Sequence, residues 1–296
     1  MDKVTEFLTY LKVIENKSEN TIKAYSRDLK DFSAWYTLEN ESDCDFAKVS
    51  KNDLYNYMSH RVEMDDSPST RARRTSTLKV FFKYLYDNDY IEKDIASGLK
   101  SPKIPHKEPV FASREEAKEL INSCVGNGKQ GYTSVRDLAM FSILLNCGLR
   151  RTELVSLGIE CVNHSERSLL VYGKGAKERT VYMNDSTYEL LCKYLKLRTS
   201  VYTGDSEALF LTRTGNSILP NKVNDIMNKM KKDCGLSDKN YTPHTFRKTC
   251  ATLLSQQGVD IRTIQRTLGH SNIETTTIYV GVEERQKAAA GREFNI

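Results

Sequence analysis

The stretch that most constrains how this chain can fold is KSPKIPHKEP, residues 100–109, which holds three of its six prolines within eight residues. Proline offers no amide donor and biases the residue before it toward extended geometry, so regular structure should lapse here. At 296 residues the chain is long for one domain and comfortable for two. The sequence therefore predicts a helical unit over 1–100, a linker over 101–109, a second unit over 110–280 and a tail over 281–296.

Composition excludes several classes. Hydrophobic residues make up 39% of the chain, enough for packed cores, yet no apolar run approaches the roughly 18 residues of a membrane span. The N-terminus MDKVTEFLTYLK mixes acidic with apolar residues and does not read as a signal peptide. Seven cysteines form no CxxC pair and fit reduced thiols better than a disulfide framework, which predicts a cytoplasmic protein with no membrane partner. Residues 1–108 carry 18 Lys and Arg against 19 Asp and Glu, a net of −1, whereas the remainder carries 26 against 20, a net of +6. Any nucleic-acid binding must then come from shaped patches on folded units, since neither half is a basic tail.

The first unit reads as four helices. Val4, Phe7, Leu8, Leu11 and Ile14 follow the helical period, as do Ile22, Tyr25, Leu29, Phe32 and Trp35 after the candidate cap Ser18. Ser50 and Asp53 have the spacing of a capping box, and Ser67-Pro68 opens the last helix. That helix displays Arg71, Arg73, Arg74 and Lys79 among hydroxyl residues. A charge run is usually a solvated face, but this density of arginines and hydroxyls suits phosphates. The second unit is expected to be mostly helical with a small sheet. Its helices are predicted from Ser113, over Val135 to Asn146 and over 186–202 and 221–234. The hairpin is expected at SLLVYGKGAKERTVYM, 168–183, around a Gly-Lys-Gly turn, and a short apolar segment lies at 208–212.

The chemistry gathers near the C-terminus. Thr242 and Pro243 start a helix that puts His244 and Arg247 three residues apart on one face; Gly258 stops it. A second helix, Asp260 to Leu268, ends at Gly269 immediately before His270, and Tyr279 follows. A guanidinium fork fits two phosphate oxygens, imidazoles move protons near neutral pH, and a phenol can act as nucleophile. Each has an ordinary alternative. One tyrosine of sixteen is more often core or surface, and a single histidine is more often structural, as we read His60, His106 and His164. Arg150, after a glycine at a helix junction, and Lys174, at a hairpin tip, would by themselves be surface residues. With no HExxH and no carboxylate cluster, a metal site is not expected.

Taken in order, GLRRTEL, GKGAKER, HTFR and LGHSNIETTTIY resemble the tyrosine site-specific recombinases, the family of phage-type integrases, and most closely its Xer branch. The resemblance runs the full length. It implies a mainly α protein with a small β-sheet: a SAM-like four-helix core-binding domain followed by an α+β catalytic domain. It maps Arg150, Lys174, His244, Arg247, His270 and Tyr279 onto the family's catalytic set, with Tyr279 the nucleophile. Cys147 stands where many relatives have Thr, and Val280 where Thr is common. The implied reaction passes through a 3′-phosphotyrosyl link and a Holliday junction, needs neither metal nor ATP, and uses no cofactor. The implied partner is a duplex DNA recombination site, bound by a homotetramer or by a heterotetramer with a second recombinase, with the tail coupling subunits. Xer-like chromosome dimer resolution and mobile-element integration or excision share this chemistry. The rivals are a non-catalytic DNA-binding regulator derived from a recombinase, and strand relaxation of the type IB topoisomerase kind.

Overall fold

Helix caps and apolar periodicity, both local signals, shape most of the elements. The structure is a computed structural model that describes residues 2–105, 110–125, 131–173, 178–202, 204 and 206–269. The chain separates into two units, Met1–Lys107 and Glu108–Ile296. Residues 101–105 carry no helix or strand.

The first unit contains α1 (Lys3–Val13), α2 (Glu19–Asn40), α3 (Lys51–Glu63) and α4 (Pro68–Asp87). Ser18 Oγ accepts from the Thr21 amide, Ser50 and Asp53 form a reciprocal capping box, and Ser67 Oγ accepts from the Thr70 amide with Pro68 in the first turn. The apolar stripes meet in one core, where Phe32 packs edge-on against Tyr57 with ring centroids 5.0 Å apart and Phe46 against Phe81 at 4.8 Å.

α4 departs from the sequence expectation at one residue. Arg74 does not face solvent: it is 9% exposed. Its Nε donates to Asp66 at 2.8 Å, and its Nη1 to Asp31 at 2.8 Å and to the Tyr57 hydroxyl at 2.9 Å. The cause is a set of carboxylates that α2 and the α3–α4 turn present to α4. Asp28, 2% exposed, accepts from Arg73 and from Thr77 Oγ1, and Asp66 also takes Arg61. The Arg61 hydrogen bond, with help from Arg74, holds Asp66 below the usual carboxylate range despite some burial. Arg71, Arg73 and Lys79 are partly exposed.

The second unit runs α5 (Arg114–Ser123), α6 (Tyr132–Cys147), α7 (Arg151–Val155), β1 (Val162–Asn163), β2 (Ser168–Tyr172), β3 (Glu178–Tyr182), α8 (Asp185–Arg198), α9 (Pro220–Asp233), α10 (Pro243–Gln256) and α11 (Ile261–Leu268). The strands form an antiparallel sheet in the order β1-β2-β3, with Leu169 opposite Val181 and Val171 opposite Arg179. Leu169, Val171 and Val181 face the core, while Tyr172 and Tyr182 point outward, the alternation a strand imposes. The apolar segment at 208–212 is no strand of that sheet; it is held by isolated bridges, Ala208 to Gly158 and Leu211 to Ser217. α6 is buried along most of its length and packs on α8 and α10. No described helix is long and apolar enough to cross a membrane.

Replacing Arg74 by Ala should lower the urea midpoint of the N-terminal unit. It removes one of the two guanidiniums that Asp31 and Asp66 share, the other being Arg61, a loss on the order of 1–3 kcal/mol. A midpoint equal to wild type would show that this cluster does not hold α4 in place.

Candidate functional site

The site is assembled where three helix ends meet. α6 ends at Gly148 and α11 at Gly269, both in the left-handed region, with φ of 62° and 65°. A Cβ at Gly148 would lie 2.3 Å from Leu268 Cδ2, so glycine there satisfies both the backbone turn and the close approach of α11. The last carbonyls of a helix lack intrahelical donors and sit at the negative end of its dipole. Arg247, from the first half of α10 and 1% exposed, meets them: Nη1 donates to the Gly148 carbonyl at 2.6 Å and Nη2 to the Leu268 carbonyl. One guanidinium thus ties α10 to the ends of α6 and α11.

Arg150, at the N-cap of α7, is the partly exposed member. Its Nη1 donates to Glu153 Oε1 at 2.6 Å, its Nη2 to the Gly269 carbonyl at 3.2 Å, and its backbone N–H to Glu153 Oε2 at 2.8 Å. Glu153 is 5% exposed and lies 3.9 Å from Arg247 Nη1. Burial alone would raise its pKa, but the Arg179 hydrogen bonds and those from Arg150 outweigh it and hold the carboxyl at about 2. Three guanidiniums around one carboxylate leave a surplus of positive charge, the electrostatic condition for an anion.

His244 is the second residue of α10, one turn before Arg247, behind an N-cap in which the Thr242 amide donates to Thr245 Oγ1 at 3.0 Å. Unlike Arg247 it remains open to solvent. Desolvation by the surrounding protein, together with the charges of Lys248, Arg247 and Arg150, lowers its pKa. The imidazole is therefore mainly neutral at pH 7 and able to accept a proton.

The structure brings Arg150, His244 and Arg247 into one electrostatic neighbourhood. Lys174, His270 and Tyr279 lie outside the described residues, as does the tail at 281–296. Among the described residues no group of His, Cys, Asp or Glu is arranged to hold a metal ion. Reading the sequence missed Glu153 and Arg179. A signal existed for each: Glu153 has capping-box spacing from Arg150, and Arg179 alternates in phase with the core residue Val181, a charge on the inward face of a strand.

Comparison with known proteins matches residues 111–286 to the phage integrase family and residues 4–89 to the phage integrase N-terminal SAM-like domain. The chain is 37% identical to the tyrosine recombinase XerC of Caldanaerobacter subterraneus subsp. tengcongensis, over 95% of this chain and 83% of that protein. It is 31% identical to the tyrosine recombinase XerD of Staphylococcus epidermidis, over 96% and 95% of the two. In fold it is similar to the XerH site-specific recombinase in a post-cleavage complex with a palindromic difH substrate. The TM-score is 0.77, with 21% identity, over 97% of this chain and 84% of that one.

A lowered His244 pKa has a sign that can be checked. The folded state resists protonating this ring, so its contribution to stability is complete above the ordinary histidine pKa of 6.5 and declines as pH falls below it. Titration of the His244 ring followed by NMR should give a midpoint below 6.5. A midpoint at or above that value would mean that neither desolvation nor the neighbouring cations act on the ring as the geometry indicates.

Proposed function

Because this chain belongs to the phage integrase family and is a tyrosine recombinase, we propose that it exchanges strands between duplex DNA sites through a 3′-phosphotyrosyl intermediate and a Holliday junction. The observation that supports this most directly is the convergence of Arg150, Arg247 and a neutral His244 on one cationic spot.

In-line attack on a phosphodiester builds negative charge on the non-bridging oxygens, and catalysis is chiefly positioning plus stabilisation of that charge. Arg150 meets the phosphate from the partly open side, while Arg247 supplies charge from a guanidinium whose plane two carbonyls fix. Tyr279 Oη forms the bond to phosphorus and the bond from phosphorus to the 5′ oxygen breaks. The phenol proton passes to His244, whose lowered pKa keeps it unprotonated at neutral pH. Lys174 gives a proton to the departing 5′ oxygen, and His270 donates a hydrogen bond to the phosphate. The covalent link conserves the energy of the broken bond, so rejoining reverses the same steps without ATP.

Binding is proposed to use both units, with the N-terminal four-helix unit as the core-type DNA-binding domain. Arg71 and Lys79 of α4 are its phosphate contacts. Arg73 shares its charge with Asp28, and Arg74 is committed to Asp31 and Asp66. Two subunits per site and four per synapse, of one kind or with a second recombinase, complete the cytoplasmic assembly, with residues 281–296 coupling neighbours. Similarity to XerC and XerD relatives over nearly the whole chain supports chromosome dimer resolution over movement of a mobile element.

The test is a nicked suicide duplex carrying candidate sites from the source genome, scored for an SDS-resistant protein–DNA adduct without added metal or ATP. Tyr279→Phe should retain DNA binding and abolish the adduct; an adduct that persists would place the nucleophile elsewhere. Lys174→Ala should slow cleavage by on the order of 100-fold, with recovery on a substrate bearing a better 5′ leaving group. Failure of that substrate to restore cleavage would remove Lys174 as the acid. An adduct formed only on the ends of a mobile element would overturn the chromosomal role.

A further inference from the structure

Arg179 closes the GKGAKER stretch without a catalytic assignment, yet all three of its guanidinium nitrogens donate within the site. It stands on β3 two residues before Val181, which is 1% exposed, so its side chain leaves the strand on the core side. Nη2 donates to Glu153 Oε2 at 2.8 Å, Nη1 to Glu153 Oε1 at 3.1 Å, and Nε to the Thr267 carbonyl at 3.1 Å. Its path runs directly beneath Gly269, where an added Cβ would lie 3.0 Å from Arg179 Cδ and 3.1 Å from Nη1.

We propose that Arg179 is a positioning residue of the recombinase site. It grips both oxygens of Glu153, so that this carboxylate anchors Arg150 without cancelling its charge, and it fastens β3 to the end of α11. The proposal rests on the reading of Arg150 and Arg247 as the phosphate-binding pair.

The argument is one of charge and geometry. Glu153 carries one negative charge in a buried position, 2.6 Å from Arg150 Nη1 and 3.9 Å from Arg247 Nη1. Alone with those two, it would offset half of the charge available to a phosphate. A third guanidinium in bidentate contact supplies the compensating charge and leaves the set with two positive charges in excess. Lysine cannot replace it, because a single ammonium lacks the planar fork that reaches two carboxylate oxygens and a carbonyl together. In sequence, β3 directly follows the segment that holds Lys174, and the end of α11 directly precedes His270. Arg179 therefore links the two elements that border Lys174 and His270 in sequence.

The test pairs kinetics with a readout that does not depend on catalysis. On the nicked duplex, Arg179→Gln should slow single-turnover adduct formation by on the order of 100-fold while leaving the Kd for DNA unchanged. Arg179→Lys, which keeps the charge and guards against a variant that does not fold, should recover only part of the rate. The pair Glu153→Gln with Arg179→Gln should be faster than Arg179→Gln alone, because the uncompensated carboxylate is gone. In parallel, the Glu153 carboxyl is followed by NMR with carbon-13 at Glu Cδ, assigned with Glu153→Gln. It stays ionised to about pH 2 in the wild type and should titrate at distinctly higher pH in Arg179→Gln and Arg179→Lys. An unmoved carboxyl titration, or wild-type cleavage by Arg179→Lys, would overturn the proposal. A wild-type protein that forms no adduct would instead count against the recombinase reading, with the carboxyl titration still deciding the role of Arg179.

Discussion

A single buried guanidinium sets the geometry of the catalytic unit. Arg247 reaches carbonyls that lie 99 and 21 residues away in sequence, at the ends of α6 and α11. Burying a charge is costly unless its donors find partners, and helix ends offer carbonyls that need donors. Each requirement answers the other. Once α6 and α11 are fixed against α10, the Gly269 carbonyl comes within reach of Arg150 and the Thr267 carbonyl within reach of Arg179. The cationic cluster is thus a consequence of how α6 and α11 end against α10, and the residues that hold these ends together also form the proposed phosphate site.

Protonation follows from the same arrangement. Desolvation and the clustered cations together keep His244 neutral, while the hydrogen bonds and charges of the same cations hold Glu153 ionised against its burial. At neutral pH both groups are in the state the proposed reaction needs.

Local chemistry made much of the fold legible in the sequence. Ser18, Ser50, Ser67 and Ser113 cap helices where hydroxyl-to-amide spacing indicates, and the apolar rhythm of α2 and α4 marks the residues that become core. The hairpin was visible because β-prone runs flank a glycine turn. What failed was anything decided by distant partners. Arg74 turns inward because Asp31, 43 residues earlier, waits on α2, and no pattern within α4 distinguishes it from Arg71. Of the six residues that the sequence motifs proposed as catalytic, Arg150, His244 and Arg247 lie among the described residues and share one electrostatic neighbourhood. Glu153 and Arg179 stand inside GLRRTEL and GKGAKER, but the sequence suggested no role for either, because their importance arises only when β3 and α7 are brought together.

The anchoring of Arg247 has one further consequence. Two of its acceptors are main-chain oxygens, those of Gly148 and Leu268, so this part of the grip does not depend on which side chains those residues carry. A substitution beside those carbonyls that keeps the backbone in place leaves these acceptors intact. Carbonyls neither titrate nor exchange counterions. The ties from Arg247 to the ends of α6 and α11 are accordingly less exposed to salt and acidity than the Glu153 ion pairs beside them or the contacts to DNA phosphates.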